Sequence, residues 1–188
     1  PYLEQVHLCL GVPSYPISHS NRHAGYVLNT ILGGGISSRL FLRIREHEGL
    51  AYSVFSDLGV FVDAGVLSVY AGTSIEVISK VIDHILEEMK QLKDTLVSDE
   101  ELRRAKDYMK GSLTLGLEST MSRMSNLARQ ERYFQQFTSI DELHRMIEQV
   151  DASAIRQVAQ EWFREEAISL AVLGNLKGYK VFQGDLKL

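Results

Sequence analysis

The chain has 188 residues, 45% of them hydrophobic and 23% charged, with a net charge of −4 and a single cysteine. That balance suits one globular core and excludes a nucleic-acid binder held by phosphate neutralisation. No apolar run nears the ~20 residues of a membrane-spanning helix, and one cysteine excludes an internal disulfide framework or a multi-cysteine zinc site.

The chain starts at Pro1 and shows no signal peptide, so it reads as a piece of something longer. Its compartment is not fixed by the sequence, and a soluble, cytoplasmic setting is the expectation. "VHLCLGV" (6–12) alternates as a strand that Pro13 and Pro16 should end, with Cys9 as a small buried hydrophobe. "SNRHAGYVLNTILGG" (20–34) reads as a helix capped by Ser20 or Asn21, with Gly33 where a left-handed terminating residue is wanted. Ser37 or Ser38 then caps a short helix with the stripe Leu40, Phe41 and Ile44, stopped at Gly49. "LAYSVFSDLGVFV" and "GVLSVYAGT", joined at Asp63, Ala64 and Gly65, read as a long hairpin.

Thr73 with Glu76 forms a predicted capping box for a helix with the stripe Ile78, Val81, Ile82, Ile85, Met89 and Leu92. Ser98 with Glu101 forms a second, opening a proline-free run of helices to Phe163. Within that run Met121, Met124, Leu127 and Ala128 read as a core stripe, or as lining for a substrate chamber. Tyr133, Phe134 and Phe137 are expected to pack a helix end. "AISLAVLG" (167–174) closes as a strand. The predicted architecture is one α+β domain over residues 1–188, a mainly antiparallel sheet with helices on one face, in the split βαβ manner.

Four chemistries can be tested on the motifs. The glycine run Gly33, Gly34 and Gly35 follows a helix and is not followed by the lysine of a phosphate loop. A dinucleotide fingerprint fails because Ser38 holds the place of its third glycine. Ser37 and Ser38 lack the G-x-S-x-G setting of a nucleophile and suffice as helix caps. "HSNRH" (19–23) spaces two histidines as metallopeptidase helices do, but Arg22 stands where the general base belongs, and a guanidinium neither accepts a proton nor tolerates a dication. The other histidines, His7, His47, His84 and His144, are scattered and read as exposed or edge residues.

Arg45 and Tyr52 remain. A reversal from helix end to strand start could bring both to one edge of the sheet, a cationic fork beside a neutral hydroxyl donor, suited to a carbonyl gaining negative charge. On spacing alone, a solvated helix charge and a sheet aromatic are the plainer readings.

The run "LNTILGGGISSRLFLRIREHEGLAYSVFSDL", followed by "GVLSVYAGTS", resembles the second-half domain of the pitrilysin, insulinase and mitochondrial processing peptidase family, over about residues 6–175. The R-x-x-x-G-L-A-Y element (45–52) and the LGGG-x-SSRL run before it carry the likeness. The resemblance implies a peptidase built of two related halves. The first holds zinc through H-x-x-E-H and a downstream glutamate, and the second holds no metal but supplies an arginine and a tyrosine to the substrate backbone. Arg45 and Tyr52 match those two residues, and Gly33, Gly34 and Gly35 match a loop implicated in substrate handling. The expectations are a chain without a cofactor of its own and inactive alone, a zinc-bearing partner half, a peptide substrate and zinc-water attack on a peptide carbonyl. Homo-oligomerisation is left open. The alternative is a non-catalytic structural or peptide-binding subunit of the same family.

Overall fold

The structure is a computed structural model that describes residues 5–188, apart from the side chain of Gln183. Strand β1 (Val6–Ser14) leads into α1 (Arg22–Leu32), a π-helix (Phe41–His47), β2 (Ala51–Val60) and β3 (Gly65–Thr73). Five helices follow, α2 (Ile78–Asp94), α3 (Asp99–Gly116), α4 (Thr120–Phe134), α5 (Ile140–Glu148) and α6 (Ala152–Trp162), and then β4 (Ser169–Leu173). The strands form one sheet in the order β2-β3-β1-β4, every neighbour antiparallel. This is the α+β layout that the interleaved periodicities predict.

Alternation decides which sheet face is covered. Val6, Leu8, Leu10 and Val12 of β1 are buried, as are Leu67, Val69 and Ala71 of β3. They meet Val27, Leu28 and Ile31 of α1, the predicted stripe of α2, and Ile155, Val158 and Trp162 of α6 in a continuous apolar core. The opposite face carries His7, Phe55 and Tyr70, with His7 Nδ1 2.7 Å from the Tyr70 hydroxyl and the rings of Phe55 and Tyr70 5.1 Å apart. Cys9 lies on that face and is exposed, not buried, because it falls between Leu8 and Leu10 in the alternation.

Several local expectations change in three dimensions. β1 runs through Pro13, which pairs with Val66 on one side only, because β4 stops opposite Gly11 and leaves no ladder bond for a proline to break. Thr73 is no cap: it ends β3, buried, and donates from Oγ1 to the Leu50 carbonyl at 2.6 Å. Ser98 caps as predicted, its Oγ accepting from the Glu101 amide. His84 is buried. The stripe Met121, Met124, Leu127 and Ala128 is exposed, as is Phe137, because α4 lies outside the core and buries only Gln130.

Gly33 is required for a different reason than the one its position suggests. Its φ is −155°, so no left-handed conformation calls for a glycine there. A Cβ there would fall inside the van der Waals contact of the Ser56 backbone nitrogen and 2.7 Å from its Oγ. That approach lets the Gly33 carbonyl accept from the Ser56 amide at 3.0 Å and close part of the free edge of β2. Gly33→Ala is therefore expected to destabilise the fold by ~1–3 kcal/mol, the usual cost of overpacking. Gly111→Ala, within α3 where a Cβ meets nothing within 4 Å, is expected to stabilise it by ~0.5–1 kcal/mol. Urea unfolding of the two variants checks both signs.

Candidate functional site

The segment between Gly35 and Leu50 presents three faces, each made by residues four apart. Leu40 and Ile44 are fully buried. Arg39 and Arg43 turn toward α2 and α3. Phe41 and Arg45 turn toward β2, with the Arg45 guanidinium carbon 4.9 Å from the Phe41 ring centroid and 5.3 Å from that of Tyr52. The segment begins with an ordinary helical bond, Leu42 N–H to the Ser38 carbonyl, and widens to Glu48 N–H bonding the Arg43 carbonyl. A turn wider than the 3.6 residues of an α-helix keeps residues four apart close to one line.

The reversal that follows is short. Gly49 takes φ +61°, which suits glycine, and Leu50 N–H reaches back to the Ile44 carbonyl at 2.8 Å. The Leu50 carbonyl accepts from Thr73, so the start of β2 is fixed to both the π-helix and β3. Pairing then skips a residue: Ala51 stands opposite Thr73 and Ser53 opposite Gly72, leaving Tyr52 as the extra residue of a β-bulge. Strict alternation from buried Val54 would turn Tyr52 into the core. The bulge turns it out instead, 77% exposed.

The structure thus brings Arg45, from the π-helix, beside Tyr52 at the start of the edge strand, both exposed. Neither side chain is paired within the fold: among the described residues the guanidinium has no carboxylate partner and the Tyr52 hydroxyl no hydrogen bond. Ring contact holds the arginine, an interaction worth ~0.5–1 kcal/mol at an exposed site. The arrangement can offer a planar cation and a phenol to one ligand carbonyl-rich enough to use both.

The glycines divide. Gly33 is buried against β2 at Ser56, four residues along the strand from Tyr52 or roughly 13 Å at ~3.3 Å per residue. Gly34 packs on its own helix, a Cβ there meeting Thr30 Cα at 2.8 Å, and Gly35 faces the ring of Tyr108. Their contacts are structural, and none is with Arg45 or Tyr52. Phe41 is a site residue the sequence reading placed in the core stripe. Its spacing of four from Arg45 is the signal that could have found it.

Among the described residues no group of three or more His, Cys, Asp or Glu side chains is placed to hold a metal. His19 precedes α1, stacks on Tyr15 at 3.7 Å and accepts from the Asn21 amide at Nδ1, so the helical spacing of "HSNRH" is not realised. Burial, with Arg22 beside it, lowers the His23 pKa to about 4.

The family of the Peptidase M16 inactive domain matches residues 1–109. The chain is 37% identical over 163 residues to an uncharacterized zinc protease of Bacillus subtilis, covering 87% of this chain and 40% of that protein. Against an uncharacterized zinc protease of Mycobacterium tuberculosis it is 40% identical over 171 residues, 91% of this chain and 39% of that protein. It superposes on a Peptidase M16 inactive domain from Pseudomonas fluorescens with a TM-score of 0.82 and 20% identity, over 93% of this chain and 42% of that one. The chain belongs to the Peptidase M16 family, as its inactive domain, which bears out the resemblance read from residues 32–52. It spans about two fifths of the length of the relatives it matches. No helix among the described residues is long and apolar enough to cross a membrane.

The His23 environment makes a pH prediction. Its folded pKa of about 4 lies below the ordinary 6.5, so the unfolded chain binds the extra proton first. Its contribution to stability is complete above pH 6.5 and is lost as pH falls toward 4. His23→Gln is expected to flatten that fall, read from urea midpoints at pH 7.5, above the window, and at pH 4.5, near its lower end.

Proposed function

We propose that this chain is the metal-free, substrate-contacting half of a zinc metalloendopeptidase, completed by a zinc-bearing half of the same family. The observation that carries the reading is the pairing of Arg45 with Tyr52 on an exposed strand edge, with Arg45 without a carboxylate and Tyr52 turned outward by a bulge. A structural pair would be expected to use its donors within the fold. Support also comes from the relatives, which are called zinc proteases and are more than twice this chain's matched length.

In this reading the metal and the general base belong to the other half, and the chain's own residues bind and orient. The Tyr52 hydroxyl donates to the peptide carbonyl oxygen as it gains charge, and the Arg45 fork holds a neighbouring backbone carbonyl in register. Phe41 limits the freedom of the guanidinium, so less order has to be imposed when the peptide arrives. Gly33, Gly34 and Gly35 remain part of the proposal as a substrate-handling loop only through the resemblance, and their contacts give them a packing role as well.

Tyr52→Phe, assayed in the complete protein, is expected to lower turnover ~10²–10³-fold, the usual effect of removing one oxyanion donor. Turnover within twofold of the parent would end the reading. Arg45→Lys should lower catalytic efficiency at least ~10-fold, because an ammonium cannot reproduce the planar fork; equal efficiency in peptide-cleavage assays would remove Arg45 from the substrate site.

A further inference from the structure

Three arginines lie within seven residues of one helical segment, and the fold treats them differently. Arg39 donates from Nε and Nη2 to the Glu101 carboxylate of α3 at 2.7 and 2.8 Å, and its Nη1 lies 3.6 Å from Glu88 of α2. Arg43 donates from Nη1 to Glu88 at 2.8 Å and from Nη2 to Glu87. Arg45 is left for Phe41 and Tyr52. Glu88 is the point where the first two meet, one carboxylate shared by two guanidinium groups and only 6% exposed. A carboxylate that deep requires its counter-charges, and they have fixed directions because guanidinium forks are planar.

A second tie closes the far end of the segment. Glu48 accepts from Lys80 Nζ at 2.5 Å and lies 3.0 Å from His84 Nε2, both on α2. The Lys80 ammonium, with the His84 ring beside it, holds the Glu48 carboxyl below its ordinary pKa range. The segment 39–48, which contains the π-helix, is thus fastened to α2 at residues 39, 43 and 48, on either side of Arg45. Rotation of the segment about its axis would carry Arg45 away from Tyr52 and would have to break the Glu88 contacts first.

We infer that Glu88 is a positioning residue for the Arg45–Tyr52 pair: by gripping Arg39 and Arg43 it sets the rotation of the π-helix and so the place of the Arg45 guanidinium against the Tyr52 ring. The catalytic consequence rests on the proposed function; the geometric one does not. Glu88 touches no substrate and acts only through Arg45.

The test is a double-mutant cycle in the complete protein, with an independent structural reading. Glu88→Gln is expected to lower kcat/KM about 10-fold in the parent but less than ~2-fold in an Arg45→Ala background, where there is no guanidinium left to place. The control Glu87→Gln, on an exposed carboxylate, is expected to change little. An equal fold-loss from Glu88→Gln in both backgrounds would overturn the inference, since general weakening of the fold does not depend on Arg45. In parallel, NMR of arginine-labelled protein reads the ring-current displacement of the Arg45 side-chain protons. That displacement is expected in the parent, retained in Glu87→Gln and lost in Glu88→Gln. Its retention in Glu88→Gln overturns the positioning role whatever the kinetics show. Its loss with kcat/KM unchanged in both Glu88→Gln and Arg45→Ala upholds the positioning role and overturns the proposed function instead. If Glu88→Gln does not fold, Arg43→Lys keeps the charge on Glu88 without the fork, and is read by the same cycle and the same displacement.

Discussion

A carboxylate removed from water must be met by cations whose geometry is also fixed, or the fold pays several kcal/mol for it. Glu88 imposes that condition on the interface between α2 and the π-helix. Burial works against the charge on Arg39, and its hydrogen bonds to Glu101 with the nearby Glu88 outweigh it, so the guanidinium is held more firmly protonated than usual. Three helical segments meet at these charges: α2 through Glu88, α3 through Glu101, and the π-helix with its lead-in through Arg43 and Arg39. The apolar contacts of Leu40 and Ile44 beneath them supply depth but little direction, since dispersion is weakly directional. The ion pairs add the direction.

The edge of the sheet is handled by two devices on one strand. Near its middle, β2 is closed by the carbonyl of Gly33. At its start the ladder is interrupted, and the interruption turns Tyr52 outward. Edge strands expose unpaired backbone groups, and natural folds shorten, cover or distort them. Here the distortion and the covering fall at different places, so that an open stretch carrying Tyr52 lies beside Arg45, while the stretch near Ser56 is packed. Membership in the Peptidase M16 family, as its inactive domain, is the setting in which this arrangement stands.

Much of this was legible in advance because it is periodic. The alternation in 6–12, the stripe of α2 and the Ser98 cap each follow from neighbours a few residues apart. Arg45 and Tyr52 stand out only through the family resemblance, since spacing alone favours a solvated helix charge and a sheet aromatic. The misreadings have other causes. The stripe of α4 is periodic, yet periodicity does not say what covers it, and α4 lies outside the core. Thr73 and Glu76 have the spacing of a cap, but β3 claims Thr73 and Lys177 pairs with Glu76 at 2.9 Å. Cys9 was read by residue type when its place in the alternation was the better guide.

What the sequence determined by itself was the class of layers and the position of the reversal at Gly49, because these depend on local dihedral preferences and on spacing along the chain. What only the tertiary structure decided was direction: that Arg43 turns to Glu88 forty-five residues away, Arg39 to Glu101 sixty-two residues away, and Arg45 to neither. Like charges on one helix are interchangeable until distant elements pack against it. A bulge is equally silent in the sequence, since it arises when a strand must meet its partner and its preceding helix at once.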